Sequence, residues 1–231
     1  MKLILVPGFW LDGSSWATIV PALEAAGHET ESVTLPGIGS GQGDPTTTTL
    51  ADQVTAVVER IDAADSPVVL VGHSGGGSVI SLAADARPDR IVRAIYVDAG
   101  PAGEGDTINE NLPVVDGVIP LPDFDEFPAE MTRDMDEGIR AHFRSIAQPQ
   151  PARVATDAAH PTDERRYDVP STVICCEMSA GEIRELIDTE HAYVAELARF
   201  RDYELVDLPT SHWPQFTKPA ELSAIIVAAI R

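Results

Sequence analysis

Short apolar runs alternate with longer amphipathic stretches along most of the chain. Six short runs bounded by turn residues predict β-strands, at residues 2–6, 30–35, 67–72, 91–98, 171–176 and 203–208. The stretches between them predict helices near residues 15–26, 49–62, 75–87, 182–199 and 219–230. Several of the predicted strands are continuously apolar, as strands of a parallel sheet are when helices cover both faces. This alternation predicts an α/β fold built on a six-stranded parallel sheet.

One region departs from the alternation. Residues from about 100 to 169 carry many prolines and few strand-like runs, with one amphipathic helical pattern around residues 128–147. Long insertions between elements of a domain are usually functional, so we expect a helical cap over the site, with a long surface excursion as the alternative. The expected organisation is a single domain over residues 1–231 that includes this cap.

Composition and charge exclude several classes of protein. The 231 residues include 16 Lys and Arg against 37 Asp and Glu, a formal charge of −21, which excludes an ordinary nucleic-acid binder. A hydrophobic content of 44% excludes a disordered acidic tail. No apolar run is long enough for a membrane helix, and the run at residues 3–6 is too short for a signal peptide. Cys175 and Cys176 are adjacent and are expected to be reduced, so the expected location is the cytoplasm.

The pentapeptide Gly72-His73-Ser74-Gly75-Gly76 carries the candidate chemistry. It follows the third predicted strand, precedes a helical pattern and matches G-x-S-x-G, the signature of a serine held in a sharp strand-to-helix turn. Glycines around the serine allow strand and helix to pass closely, and the helix N-terminus favours negative charge. A glycine-rich turn that serves packing or phosphate binding is the alternative, although no lysine follows as in a phosphate loop.

Taken with two further motifs, this pattern resembles that of the α/β-hydrolase superfamily, over residues 3–230. The motifs in family order are VPGFW at residues 6–10, GHSGG at 72–76 and TSHWP at 210–214. Within the superfamily the chain is similar to the small esterase-like branch that includes plant methyl-ester esterases, hydroxynitrile lyases and bacterial relatives. The resemblance implies the α/β-hydrolase fold with strand order 2-1-3-4-5-6 and a site at the switch point between strands 1 and 3.

The resemblance also implies roles for particular residues. Ser74 is the expected nucleophile, and His212, after the last strand, is the expected base that takes and returns its proton. The backbone N–H groups of Phe9 and Gly75 are the expected oxyanion hole. Family members often have His-Gly where this chain has Pro7 and a glycine; the donor comes one residue later, so the hole is expected to be intact.

Three aromatic residues are candidates for the substrate pocket. Trp10 and Trp213 adjoin the expected catalytic segments, and Phe143 lies in the expected cap. Packing in the protein core is the alternative for each of them.

The acid that would orient the base is open. Many relatives place an aspartate in the loop after the penultimate strand, but here Ser179 stands near that position. Asp98, at the end of the fourth predicted strand, is the first candidate, because some relatives take their acid from that strand. Glu177 is the second, and Glu182 and Asp188 follow. A solvated carboxylate or a helix cap is the alternative for each.

These features predict a cofactor-independent serine hydrolase that cleaves a small ester, thioester or lactone through an acyl-enzyme on Ser74. No HExxH or paired CxxC spacing occurs, so neither metal nor cofactor is expected. One alternative is a lyase; hydroxynitrile lyases carry a lysine directly after the catalytic histidine, where this chain has Trp213. The other is a ligand-binding protein without catalysis. The expected partner is a small-molecule substrate, and the sequence leaves the oligomeric state open.

Overall fold

The parallel sheet that the alternating pattern predicts is present. The structure is a computed structural model that describes residues 1–230, so Arg231, the last residue of the expected domain, lies outside the described residues. Its strands are β1 (Lys2–Val6), β2 (Glu29–Ser32), β3 (Val68–His73), β4 (Ile91–Val97), β5 (Val118–Ile119), β6 (Gln150–Pro151), β7 (Ser171–Cys175) and β8 (Tyr203–Asp207). One sheet has the order β2-β1-β3-β4-β7-β8, with every neighbouring pair parallel. Because β5 and β6 pair only with each other, this is the predicted order 2-1-3-4-5-6, and the α/β architecture is confirmed.

Helices cover both faces of the sheet. They are α1 (Val20–Ala25), α2 (Leu50–Asp62), α3 (Gly75–Ala86), α4 (Ala129–Thr132), α5 (Glu137–Ile146), α6 (Ala152–Thr156), α7 (Ala180–Asp188), α8 (Pro214–Thr217) and α9 (Pro219–Ala229). Ile4 and Leu70 share a core with α2, α3 and α7, whereas Leu5 and Val69 share one with α1 and α9. Successive strand residues point to opposite faces, so burial of both faces explains the unbroken apolar runs. Within residues 1–230, no helix is both long and apolar enough to cross a bilayer.

Several predicted elements are shorter in the structure. The helix expected at residues 15–26 is a 3₁₀ turn at Gly13–Trp16 followed by α1, and the edge strand β2 ends earlier than predicted. The helix expected at 182–199 is α7, which begins earlier because Ser179 caps it in a reciprocal capping box. It also ends earlier, since Glu190 has a φ of 52°, which a right-handed helix cannot accommodate.

The chain leaves the sheet after β4 and returns at β7, over residues 98–170. This excursion contains the β5–β6 pair and the helices α4, α5 and α6. The single helix predicted around 128–147 is two helices, because Asp134 between them has a φ of 66°. Asp136 then caps the N-terminus of α5 by accepting a hydrogen bond from its backbone.

A buried charged cluster ties the excursion to α3. The side chain of Arg166 is 6% exposed, and its Nη2 lies 2.5 Å from Oε1 of Glu196. Its Nε lies 3.7 Å from Oδ1 of Asp85 in α3, and its Nη1 donates to the carbonyl of Ala102 at 3.1 Å. Asp85 also accepts a hydrogen bond from the backbone N–H of Thr162. Both ends of the excursion are therefore held against the same helix by one buried cation and its anionic partners.

We expect Arg166→Met to lower the free energy of unfolding by about 3 to 5 kcal/mol, because removing one partner leaves buried carboxylates unpaired. Urea unfolding followed by circular dichroism measures the change. The matched control is Arg165→Met, because Arg165 is 60% exposed and pairs with Asp89 and Asp163 at the surface, where ion pairs contribute little. Equal stability of the two variants would contradict the structural role of the buried cluster.

Candidate active site

Ser74 occupies a sharp turn between β3 and α3, at the carboxyl edge of the sheet. Its φ of 50° and ψ of −126° are strained for a residue with a side chain. A Cβ on Gly72 would lie 2.6 Å from the carbonyl oxygen of Gly76, and a Cβ on Gly76 would lie 2.5 Å from that of Pro7. Only glycine at both positions lets strand, helix and first loop pass this closely, which leaves the serine hydroxyl at the apex of the turn.

Three side chains from distant parts of the chain meet at this turn. Nε2 of His212 lies 2.7 Å from Oγ of Ser74, and Nδ1 lies 2.6 Å from Oδ2 of Asp98. His212 lies between β8 and α8, and Asp98 directly follows β4. The two side chains are 12% and 9% exposed. The structure thus brings together the expected nucleophile, the expected base and the first acid candidate in one hydrogen-bonded chain.

The carboxylate of Asp98 is held by the end of the neighbouring strand. Its Oδ1 accepts hydrogen bonds from the backbone N–H groups of Cys176, at 3.0 Å, and Glu177, at 3.1 Å. The backbone at Asp98 has a φ of 47°. With Oδ1 engaged by these two amides, Oδ2 is directed at the imidazole.

The second acid candidate reaches the same nitrogen. Oε2 of Glu177 lies 2.9 Å from Nδ1 of His212, and this side chain is 24% exposed. Glu182 instead bonds to Ser179 in the capping box of α7. One carboxylate oxygen each of Asp98 and Glu177 and one ring nitrogen of His212 lie within 4.8 Å of one another.

His73 supports the backbone of His212. Its ring is fully buried, and Nε2 lies 2.7 Å from the carbonyl oxygen of His212. A carbonyl only accepts, so Nε2 carries the hydrogen, and Nδ1 accepts from the amide nitrogen Nε2 of Gln215 at 3.3 Å. Sequence reasoning gave no role to either residue. Successive side chains of a strand point to opposite faces of the sheet, so His73 and Ser74 are expected to point in opposite directions. This alternation is the signal that would have indicated burial of His73.

The two histidines titrate in opposite directions. Burial alone would lower the pKa of His212, but hydrogen bonds and charge from Asp98 and Glu177 outweigh it and raise the pKa to about 9. Burial dominates for His73 and lowers its pKa to about 3. Burial would raise the pKa of Asp98, yet its bonds to His212 and the two backbone amides hold it below the usual range. The site therefore combines an anionic acid, a strongly basic imidazole and a neutral buried imidazole.

The loop after β1 lies directly against the serine turn. A Cβ on Gly8 would lie 2.7 Å from Nδ1 of His73 and 2.9 Å from Cβ of Ser74. A Cβ on Gly75 would lie 2.6 Å from the ring of Phe9. The loop that contains Phe9 and the turn that contains Ser74 and Gly75 are therefore in close contact.

Two cavities open onto Ser74 and His212. One, of about 450 Å³, has a largely apolar wall that includes Phe9, Trp10, Leu112, Phe127, Met131 and Trp213. The other, the acidic cavity of about 800 Å³, has a wall of mixed polarity that includes Tyr193 and the five carboxylates of Asp98, Asp106, Glu130, Glu177 and Glu182. Much of the apolar wall comes from the excursion after β4, which contributes Leu112, Phe127 and Met131. Ser74 and His212 therefore lie between the apolar cavity and the acidic cavity.

Two of the three expected pocket aromatics line the apolar cavity, and the third does not. Trp10 and Trp213 are lining residues, and Nε1 of Trp10 donates to the carbonyl of Ile119 in β5 at 3.2 Å. Phe143 is fully buried and packs edge-on against Trp213, at 5.2 Å between ring centroids, and against Phe124, at 5.5 Å. The expectation for Phe143 is corrected: α5 buries its apolar face beneath the cavity wall, where this ring supports Trp213.

A family model described as the alpha/beta hydrolase family matches residues 3–225. The lipase LipV of Mycobacterium tuberculosis is 28% identical over 202 residues, which cover 77% of this chain and 74% of that protein. A carbendazim hydrolyzing esterase of a Nocardioides species is 30% identical over 188 residues, which cover 77% of this chain and 72% of that protein.

Solved structures give the same fold. An extracellular alpha/beta-hydrolase from a Paenibacillus species superposes with a TM-score of 0.79 at 20% identity, covering 99% of this chain and 98% of that one. A methylesterase from Arabidopsis superposes with a TM-score of 0.77 at 20% identity, covering 100% and 98%. At this identity the likeness establishes the α/β-hydrolase fold, as expected from the three motifs.

We expect nuclear magnetic resonance of isotope-labelled histidines to show His212 protonated up to about pH 9 and His73 neutral down to about pH 3. Because the pKa of His212 lies above its ordinary 6.5, its contribution to stability is present below that value and is lost as the pH rises through about 9. His73 has the opposite sign, and its contribution falls as the pH drops below 6.5. A His212 that titrates near 6.5 would contradict the carboxylate contacts.

Proposed function

Because this chain belongs to the α/β-hydrolase family and is an enzyme of the esterase type, we propose that it hydrolyses small carboxylic esters, thioesters or lactones through an acyl-enzyme on Ser74. The observation that carries the proposal is the continuous chain of hydrogen bonds from Ser74 through His212 to Asp98. Nucleophile, base and acid in this order and at these distances are what acyl transfer to serine requires.

Each member of the chain has a defined step. Nε2 of His212 takes the hydroxyl proton as Oγ of Ser74 attacks the carbonyl carbon, which gives a tetrahedral oxyanion and an imidazolium. The imidazolium then gives the proton to the departing oxygen or sulfur, and the acyl group stays on Ser74. Water, deprotonated by the same nitrogen, attacks the acyl-enzyme, and the imidazolium returns that proton to Oγ of Ser74 as the carboxylic acid leaves. Asp98 holds the Nδ1 hydrogen throughout and stabilises the imidazolium.

We assign the oxyanion hole to the backbone N–H groups of Phe9 and Gly75. Gly75 is the first residue of α3, where the helix leaves its N–H groups unpaired and the helix dipole favours negative charge. The contact between the Gly8 loop and the serine turn supports the position of Phe9. These donors need no change of charge during the reaction, so they stabilise the oxyanion without reorganisation.

We assign the apolar part of the substrate to the cavity of about 450 Å³ whose wall includes Trp10, Phe127, Met131 and Trp213. A cavity of this volume fits a small ligand. The acidic cavity on the other side of Ser74 would receive the remaining part of the substrate and the water for deacylation. A lyase resembling hydroxynitrile lyases has less support, because the buried Trp213 stands where those enzymes have lysine. The assembled acid, base and nucleophile favour catalysis over ligand binding alone.

We expect Ser74→Ala to abolish labelling by a fluorophosphonate probe and to lower kcat on p-nitrophenyl acetate by several orders of magnitude. Ser145→Ala is the control, because the Ser145 hydroxyl is exposed and bonds only to the carbonyl of His142. Equal labelling of Ser74→Ala and the wild type would place the nucleophile elsewhere.

We expect Gly8→Ala to lower kcat/KM for the same ester by about 100-fold, because the added Cβ would displace His73 or the serine turn, and small misplacements of reacting groups are costly. Gly181→Ala in α7 is the control, since an added Cβ there meets Ser179 Oγ at 3.7 Å, an ordinary contact. The contact argument for the first loop is wrong if both variants keep the wild-type rate.

A further inference from the structure

Two carboxylates approach one ring nitrogen. Oδ2 of Asp98 lies 2.6 Å and Oε2 of Glu177 lies 2.9 Å from Nδ1 of His212. Ionised carboxylates only accept hydrogen bonds, so the single hydrogen of this contact lies on Nδ1. The N–H has hydrogen-bond geometry toward Asp98, and Glu177 makes an ion-pair contact with the same nitrogen beside that hydrogen bond. A triad with one acid uses only one of these contacts.

The two carboxylates are held in different ways. Asp98 is fixed by two backbone amides, one of which is the N–H of Glu177 itself. Glu177 lies two residues after Cys175, the last paired residue of β7, and its side chain extends to the imidazole. Arg133 from the cap donates to the carbonyls of Cys176 and, at 2.8 Å, of Thr210, so it ties the loop of Glu177 to the loop that carries His212. The contact of Glu177 is therefore built into the loop geometry.

Exposure separates the two acids further. The side chain of Asp98 is 9% exposed and that of Glu177 is 24% exposed. Glu177 also forms part of the wall of the acidic cavity beside Ser74. Asp98 lines the same cavity, so both acids adjoin the compartment in which substrate and water would lie, and Asp98 is the more deeply buried of the two.

We propose that Glu177 is a second carboxylate partner of His212, which shares the Nδ1 proton with Asp98 and sets the pH range in which His212 serves as base. The proposal rests on the proposed function for the role of His212 as a base, but the contact itself does not depend on it. Glu177 acts through the imidazole and is a positioning residue.

The physical effect follows from charge. A second carboxylate stabilises the imidazolium in the resting enzyme as well as in the transition state, so it shifts the ionisation of the base upward. At a pH below the pKa of His212, most of the enzyme holds a protonated His212 that cannot accept the proton of Ser74. Above it, the more basic imidazole removes that proton more readily. Glu177 therefore moves activity toward alkaline pH.

Within residues 1–230, His212 forms ion pairs with Asp98 and Glu177 alone. The other ionisable groups around the trio are His73 on β3, Cys176 after β7, Arg133 and Glu130 in the cap, Glu182 in α7, and Asp106 and Tyr193 in the acidic wall. Burial lowers the pKa of His73 and raises that of Cys176, which keeps both uncharged near neutral pH. Arg133 carries the opposite charge and is engaged by two carbonyls.

The test compares Glu177→Gln with Glu185→Gln, which removes the same charge from an exposed position in α7. We expect Glu177→Gln to move the acid limb of the pH profile of kcat/KM down by about 1 unit, as loss of one nearby opposite charge does. The ratio of the rate at pH 7 to the plateau rate is then about ten-fold larger for Glu177→Gln than for the wild type. Glu185→Gln should keep the wild-type profile. A role confined to folding would change stability or the plateau but not the midpoint.

A second set of variants tests the sharing of the proton. Loss of the acid of a one-acid triad costs about 10⁴ in kcat. We expect Asp98→Asn to retain at least about ten-fold more activity than the double variant Asp98→Asn with Glu177→Gln, because Glu177 still accepts from Nδ1 when Asp98 is neutral. Equal rates of the single and double variants would overturn the proposal.

Titration of His212 by nuclear magnetic resonance separates this proposal from the proposed function. It can be done in the Ser74→Ala background, where no turnover occurs. A lower pKa of His212 in Glu177→Gln than in Glu185→Gln supports the shared proton even if no ester is cleaved, in which case the proposed function fails alone. Identical titration in the two variants overturns the role of Glu177 whatever the ester activity.

Discussion

The hydrogen bond between Oγ of Ser74 and Nε2 of His212 is the contact on which the site depends. Its two partners are separated by most of the chain, and only the sheet brings them together. β3 delivers Ser74 and β8 leads to His212, while β4 and β7 between them deliver the carboxylates. Because all six strands of the main sheet are parallel, their carboxyl ends share one edge, and the loops that follow them can bring these groups into contact.

Strain is concentrated along that edge. Trp10, Ser74 and Asp98 follow β1, β3 and β4, and all three have positive φ, at 64°, 50° and 47°. Such conformations persist only where surrounding contacts over-determine them. Here the close-packed turn glycines, the buried ring of His73 and the amides that hold Asp98 supply those contacts. The rigid sheet therefore maintains three unfavourable backbone conformations that a flexible loop would lose.

Much of this arrangement follows from local sequence. Periodicity and turn residues are sufficient to predict the sheet, its helices and the excursion after β4, and the G-x-S-x-G motif in its strand–helix context identifies Ser74. The breaks within the predicted helices do not follow from the apolar spacing, which does not mark Asp134 and Glu190 as positions of positive φ. The prediction that Phe143 lines the pocket is wrong because the apolar pattern of a helix does not distinguish a side chain that faces a ligand from one that packs against a neighbouring ring.

Local sequence could not decide which carboxylate orients His212. Asp98 and Glu177 end adjacent parallel strands, paired at Val97 and Ile174, so the residues after each strand end lie side by side. From either position a carboxylate reaches the same imidazole nitrogen, and the resemblance that ranks Asp98 first does not show that Glu177 reaches it too. From their positions along the chain, Asp98 and Glu177 are alternative candidates for one role. In the sheet they are neighbours. An imidazole between two such ends is under the influence of both charges, and its basicity reflects their sum.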